Sequence, residues 1–293
     1  MAEAPLPAGP APVAGWPLAA LLVGSALLAF GPLLVRLSDT GPIASAFWRM
    51  ALAAPVLLAL AWARRDIGTR LPLRHLPIGI AALAGGFFAA DLAVWHLGIV
   101  RTTTANATLF ANTTAFMLAG WAILVRGERP GKTTARALLL ALGGAALLLG
   151  SSARLSPANL VGDLLSLAAA AFYTGYLLTI MRLRDRFTTA TVLGLSTASS
   201  ALFLLPAALL EPAPFWPTDW RPVVALAVSS QLAGQGLMVF ASGRLPATVV
   251  GVGLLVQPLV SAIAGWLAFS ETLGPVALTG AAMIGAALVL IRR

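Results

Sequence analysis

Residues 87–128 read FFAADLAVWHLGIVRTTTANATLFANTTAFMLAGWAILVRGE. Two long apolar segments meet there at a very short link, 100–102. They enclose a carboxylate (Asp91), His96, Asn106, Asn112 and a run of threonines. Displacing the chain by about 143 positions returns the same punctuation: Arg101 falls on Arg244, Ala119 on Ala262, Leu124 on Leu267, Glu128 on Glu271 and Gly131 on Gly274. Few residues are identical between the two copies. The order helix, one-arginine link, helix, glutamate, helix recurs nonetheless, and that order marks an internal repeat.

Outward from this stretch the chain is apolar almost throughout. Of 293 residues, 59% are hydrophobic and 10% charged, and the mean hydropathy is +0.91. Soluble domains carry roughly 25% charge, so a soluble fold is excluded. A membrane-crossing helix needs about 20 apolar residues, and ten such stretches follow one another at 16–36, 42–63, 75–99, 103–125, 133–150, 157–181, 189–210, 221–243, 246–269 and 275–291. The expected fold is an all-α integral membrane protein: ten transmembrane helices as two inverted five-helix repeats around a central cavity. Residues 1–15 are a Pro/Ala-rich disordered tail with no basic n-region, so the first apolar stretch is expected to be a retained helix and not a signal peptide. Repeat one covers 16–155 and repeat two 156–293.

Prolines flank several spans (Pro17, Pro42, Pro77, Pro157, Pro222, Pro246, Pro275), as first-turn positions favour. Pro32, Pro55, Pro206 and Pro258 lie inside spans and are expected to kink or break them. The absence of cysteine excludes disulfides and thiolate metal sites, and two distant histidines make no zinc site. The net charge of +9 does not indicate nucleic acid, because the basic residues are scattered over short links and form no single basic module.

Those basic residues set the orientation. The links after spans two, four, six and eight, with the C-terminal tail, carry Arg64, Arg65, Arg70, Arg74, Arg126, Arg129, Lys132, Arg136, Arg182, Arg184, Arg186, Arg244, Arg292 and Arg293. The opposite side has only Arg36, Arg101, Arg154 and Arg221. By the positive-inside rule both termini are cytoplasmic, in a multi-pass protein of the inner (plasma) membrane. Five spans per repeat is an odd number, so the second copy enters the bilayer from the other side. Glu128 is then cytoplasmic and Glu271 outward, the arrangement from which secondary transporters build two access states around a midplane site.

The segments at 37–55 (LSDTGPIASAFWRMALAAP), 89–112 (AADLAVWHLGIVRTTTANATLFAN), 127–131 (GERPG) and 162–178 (GDLLSLAAAAFYTGYLL), with Glu128 and Glu271 closing spans four and nine in register, resemble the EamA family of the drug/metabolite transporter superfamily. Within it the chain looks most like YddG-type amino-acid exporters. The resemblance covers nearly the whole chain. It implies ten helices around a central cavity, cytoplasmic termini, no bound cofactor, and export of amino acids or related small metabolites.

Ionisable groups at membrane depth cost about 2.5–3.5 kcal/mol on insertion scales. Asp91 is the deepest. Phe88, Asp91 and Trp95 share one helical face, where a carboxylate between aromatic rings can take a substrate ammonium or pair with a polar group of span four. In the second repeat, Phe88, Leu92 and Trp95 correspond to Gln231, Gln235 and Met238, again one face. Two glutamines are expected to look inward, to a cavity or a partner helix. Tyr173 on span six suits a cavity wall, and Asp163 on the same span lies near the outer end, where snorkelling or capping is expected. Asn106 and Asn112 fall on different faces and are divided between helix packing and substrate contact. Arg49 can hold a substrate carboxylate, or satisfy carbonyls or a neighbouring carboxylate. His96 is about 140° from Asp91 around the helix and is expected at the interface. Gln257–Pro258 can free carbonyls beside the cavity or form a packing kink. Trp48 and Trp95 lie furthest from span ends among the tryptophans, which makes them candidates for substrate contact. The expected substrate-binding set is therefore Trp48, Phe88, Asp91, Trp95, Asn106, Tyr173, Gln231, Gln235 and Met238, with no metal ligand and no catalytic residue.

Three function classes follow. A secondary transporter of amino acids or related metabolites leads, with a multidrug or other metabolite exporter of the same superfamily beside it. An intramembrane enzyme lacks H-E-x-x-H and G-x-S-x-G, and a channel lacks a charge ring or filter loop. There is no Walker A motif, so ATP hydrolysis is not expected. If transport is coupled to protons, Asp91 is the candidate carrier. Partners reduce to the lipid bilayer and a small-molecule substrate.

Overall fold

The computed structural model describes residues 15–63, 77–150, 156–260, 263 and 274–291. The link bearing Arg64 to Arg74, Arg154, Ala262, the second half of span nine with Trp266 and Leu267, Glu271, the C-terminal arginines and the tail before residue 15 lie outside the described residues. Within them, helices occupy all ten apolar stretches. Seven are long and apolar enough to cross a membrane: Gly15–Leu37, Pro42–Ala63, Ile78–Ile99, Asn106–Leu124, Leu160–Arg184, Thr189–Leu210 and Trp220–Ser242. Lys132–Gly150, Ala247–Val260 and Pro275–Ile291 complete the set. These are spans one to ten in chain order.

Four spans depart from plain α-helix, each for a local chemical reason. Span one bends between Leu28 and Gly31, because Pro32 has no N–H to offer the Leu28 carbonyl. Span four is interrupted between Ala111 and Thr114. Three consecutive polar side chains compete there for the backbone acceptors: Asn112 Nδ2 donates to Thr108 O at 2.7 Å, Thr113 Oγ1 to Phe110 O at 2.6 Å and Thr114 Oγ1 to Ala111 O at 2.9 Å. Span nine turns at Leu255, just before Pro258, which cannot donate to the Leu254 carbonyl. Span eight carries a nine-residue π-helical stretch, Leu226–Gly234. Pro55 and Pro206, expected to kink or break their spans, sit in helices that run on without a break.

Span three packs on span six, and span one packs on span eight. Spans two and seven, four and nine, and five and ten pair with each other, while three touches seven as two touches eight. Exchanging each span with the one five places later maps this pattern onto itself. With an odd number of spans per half, that symmetry belongs to an inverted repeat.

Lipid tails are as apolar as leucine, so helices in a bilayer associate through close packing and hydrogen bonds. Glycines permit the close approaches. A Cβ at Gly144 of span five would lie 2.6 Å from the Gly280 carbonyl, and one at Gly280 of span ten 2.5 Å from the Gly144 carbonyl. At Gly24 of span one it would meet the Gly234 carbonyl of span eight at 2.9 Å, and at Gly251 the Ala115 carbonyl of span four at 2.9 Å. On span ten the contrast is internal, since a Cβ at Gly285 meets nothing within 4 Å. Gly280→Ala is therefore expected to destabilise the protein by about 1–3 kcal/mol, the usual cost of overpacking. Gly285→Ala is expected to be neutral or stabilising, because alanine is the better helix former. Thermal unfolding of both variants in detergent checks this, and equal midpoints would refute the close helix pairing.

Candidate functional site

A cavity of about 60 Å³ lies where the two halves meet. Span three supplies one wall through Phe88, Asp91, Leu92 and Trp95, and span two supplies Arg49. Span six adds Ala170 and Tyr173, and span eight adds Gln235. The remaining lining comes from the helix interruptions: Leu28 at the bend of span one, Ala111, Asn112 and Thr114 at the break in span four, Leu254 and Gln257 around the turn in span nine. Three lining pairs are repeat mates at the displacement of about 143: Leu92 with Gln235, Ala111 with Leu254, and Thr114 with Gln257.

Arg49 and Asp91 are both buried, at 3% and 8% exposure. Arg49 Nε donates to Gln231 Oε1 at 3.3 Å, Gln231 Nε2 donates to Thr197 Oγ1 at 2.9 Å, and the guanidinium stands 5.7 Å from the Phe88 ring centre. This fixes the guanidinium by its inner nitrogen. Arg49 and Asp91 do not form an ion pair: among the described residues the one salt bridge is Arg221–Asp219, on the surface. Asp91 makes no hydrogen bond among the described residues. Trp95 Nε1 and Gln235 Nε2 are buried donors with no partner among the described residues, while Gln235 Oε1 accepts from the Tyr173 hydroxyl at 3.3 Å. Buried polar groups are nearly always satisfied. Among the described residues the cavity therefore presents a guanidinium fork, a carboxyl group and two neutral donors whose hydrogen-bonding capacity is left over.

The two ends of the cavity are unlike. Towards the links after spans four, six and eight opens a vestibule of about 910 Å³, with Arg126, Glu128, Arg182, Asp185 and Arg244 on its walls. An aromatic layer separates the vestibule from the cavity. Phe88 stacks on Tyr176 at 4.3 Å, and Tyr176 stacks on Tyr173 at 5.8 Å. At the other end hydrogen bonds close the structure. Arg36 donates to the Ile99 and Thr102 carbonyls at 2.7 and 2.8 Å. Asp163 Oδ1 accepts from Thr102 Oγ1 at 2.6 Å and from Asn106 Nδ2 at 2.9 Å. Glu211 Oε2 accepts from the Ile43 and Ala44 amides at 3.1 and 3.2 Å, capping the start of span two. Asp39 Oδ2 accepts from the Thr218 and Asp219 amides, each at 3.0 Å, and from the Thr218 hydroxyl. Among the described residues, hydrogen bonds hold this end together, while the other end opens into the vestibule.

Of the residues expected to contact substrate, Phe88, Asp91, Trp95, Tyr173 and Gln235 lie on the cavity wall. Gln231 lies behind it and holds Arg49. Met238 is wholly buried in the core, its amide facing Gly24 of span one. Asn106 is engaged with Asp163. Trp48 packs at the closed end against Phe215, Trp216 and Trp220, and its Nε1 donates to the Phe215 carbonyl at 2.8 Å. Two further expectations are corrected. His96 is not at the interface but fully buried, with Nδ1 2.9 Å from Ser45 Oγ and 3.0 Å from the Pro42 carbonyl oxygen. Asp163 does not snorkel but joins spans four and six. The polar lining residues absent from the expected set are Arg49, Asn112, Thr114 and Gln257. Arg49 and Gln257 were visible as polar groups at depth. Their neighbours on other spans were not.

The EamA-like transporter family matches residues 15–150 and again 160–293. The chain belongs to that family. It is a membrane transporter of the drug/metabolite superfamily and not an enzyme. An uncharacterized transporter of Archaeoglobus fulgidus is 25% identical over 243 residues, spanning 81% of this chain and 83% of its own. A protein crystal structure with 22% identity superposes with a TM-score of 0.72 over 93% of this chain and 96% of its own, and shares the fold. Each EamA match takes in five of the ten spans, so the cavity, lined by spans one to four of the first copy and spans six, eight and nine of the second, is built by both.

Two outcomes follow from the closed end. Asp163→Ala removes the carboxylate that accepts from the buried Thr102 and Asn106 side chains, and a buried donor that loses its acceptor costs about 1–3 kcal/mol. A fall in unfolding midpoint is expected, larger than that for Asp163→Asn, which keeps one carbonyl acceptor. The Asp39 carboxyl is held below its ordinary value, first by the Thr218 hydroxyl and then by the Asp219 amide. A lowered folded value means a contribution present above the unfolded value, near 4, and lost as pH falls through the folded one. Asp39→Asn should lower the unfolding midpoint at pH 7, with the difference from the natural chain disappearing below pH about 4. A difference that is constant with pH would refute the role of the Asp39 carboxylate in holding Thr218 and Asp219.

Proposed function

We propose that this EamA-family protein is a secondary transporter exporting amino acids, aromatic and apolar ones included, or related small metabolites across the inner membrane. Units 16–155 and 156–293 alternate access to the central cavity, with both termini cytoplasmic. The observation that carries the reading is the cavity itself: lined from both repeats, with buried Arg49, Asp91 and Gln235 on its wall, and bounded by a different device at each end. Alternating access needs a site at the interface of two inverted halves. The charged groups at that depth find their use in a substrate, since membrane-buried ionisable groups line substrate or ion pathways. With the basic links cytoplasmic, the vestibule faces the cytoplasm, the side from which an exporter loads.

Exchange is the measurement that tests this. Purified protein in liposomes preloaded with an unlabelled amino acid should take up the same labelled amino acid in a saturable, transiently overshooting manner. Trp95→Ala and Tyr173→Ala should reduce exchange at low substrate by about 10-fold, the equivalent of 1.4 kcal/mol of binding. Leu139→Ala, on the exposed face of span five, should leave it unchanged. No exchange of any amino acid by folded protein would overturn the substrate assignment. The chain has no cysteine, so one introduced thiol reports sidedness cleanly. In intact cells a membrane-impermeant reagent should label Pro212→Cys and spare Gly131→Cys, and the reverse pattern would overturn the orientation.

A further inference from the structure

Arg49 and Asp91 face one cavity, both buried, and neither is consumed by a partner of opposite charge. Among the described residues Arg49 bonds through Nε alone, to Gln231. Its two terminal nitrogens, the fork that recognises a carboxylate, carry no hydrogen bond among the described residues. The Asp91 oxygens are acceptors only, and an ammonium is a donor only. The wall thus presents a carboxylate-seeking group and an ammonium-seeking group together. Trp95 Nε1 and Gln235 Nε2 are further donors left without partners, and a carboxylate has about four acceptor positions to fill.

Charge balance narrows the occupant. The cavity brings one guanidinium and one carboxyl group to the same wall. A solute with a single charge would compensate one of them and leave the other buried and unmatched, which is strongly unfavourable. A zwitterion satisfies both and leaves the balance at zero. The compact head of such a solute is an ammonium, its carbon and a carboxylate, set against a cavity of about 60 Å³. A side chain on that carbon would meet Phe88, Tyr173 and Trp95, and these rings offer apolar surface and no further charge.

We propose that the cavity is a head-group site for α-amino acids, the carboxylate held by Arg49 and the ammonium by Asp91. The assignment rests on the transporter reading above for its purpose, but not for its test. Arg49 is then a specificity-determining residue, with Gln231 and Thr197 as positioning residues behind it.

The test uses the full chain in lipid nanodiscs and reads binding by tryptophan fluorescence, Trp95 being on the wall, with a thermal-shift measurement beside it. The probes are L-phenylalanine, phenethylamine and 3-phenylpropionate, which share a ring and differ in charge. L-leucine and its two analogues repeat the series. In the natural protein the zwitterion should bind at least about 10-fold more tightly than either singly charged analogue. Arg49→Gln should invert the order in favour of the amine, and Asp91→Asn in favour of the acid. The double variant Arg49→Gln, Asp91→Asn keeps the cavity neutral and should lose discrimination among the three. Equal binding of the analogues by the natural protein, or no binding of either amino acid by folded protein, would overturn the proposal, and neither result depends on a variant folding. Zwitterion binding without liposome exchange would uphold the head-group site and sink the transport reading. Exchange of solutes with no preference for the zwitterion would do the opposite.

Discussion

Within a bilayer there is no water to accept a hydrogen bond, so every backbone group must find its partner inside the protein. Irregular backbone is then tolerable only beside a polar cavity or against another helix. Here the bend of span one, the break of span four and the turn of span nine all lie on the cavity wall, at Leu28, at Asn112 and at Leu254. The side chains of Asn112, Thr113 and Thr114 donate to the Thr108, Phe110 and Ala111 carbonyls around the interruption. The cavity is a consequence of where the helices are allowed to fail.

Around that constraint the rest of the molecule is close packing of small residues. Glycine faces let span five lie on span ten and span one on span eight at backbone contact distance. The π-helical stretch of span eight brings Gln231 and Gln235 inward together, one to fix Arg49 and the other to meet Tyr173. Long range order and local chemistry meet at these two glutamines.

Much of the fold could be read from the chain alone, because membrane spans are announced by length and hydropathy and repeats by displacement. The face of Phe88, Asp91 and Trp95 was legible for the same reason: it is a local helical spacing. Asn106 was not, since what decides its role is Asp163, a residue 57 positions away on another span. Trp48 looked deep by position, but the Phe215 to Trp220 link folds over it. The break at residues 112–113 had a signal in three consecutive side chains that compete with the backbone. The π-helical stretch had none. Arg49 was legible as an unusual residue, and only the juxtaposition with Asp91 shows what it faces.

The two halves repeat their shape and not their chemistry. Asp91 corresponds to Gly234 and Arg49 to Val192, so both charges ride on the first repeat. The closures differ in the same way: stacked rings at one end, hydrogen bonds and carboxylate caps at the other. Opening the hydrogen-bonded end exchanges protein partners for water, nearly an even trade. Parting the rings wets apolar surface, which is opposed by an entropic term that strengthens on warming from low temperature. A molecule with twofold architecture therefore has an intrinsic bias between its two openings, and that bias moves with temperature.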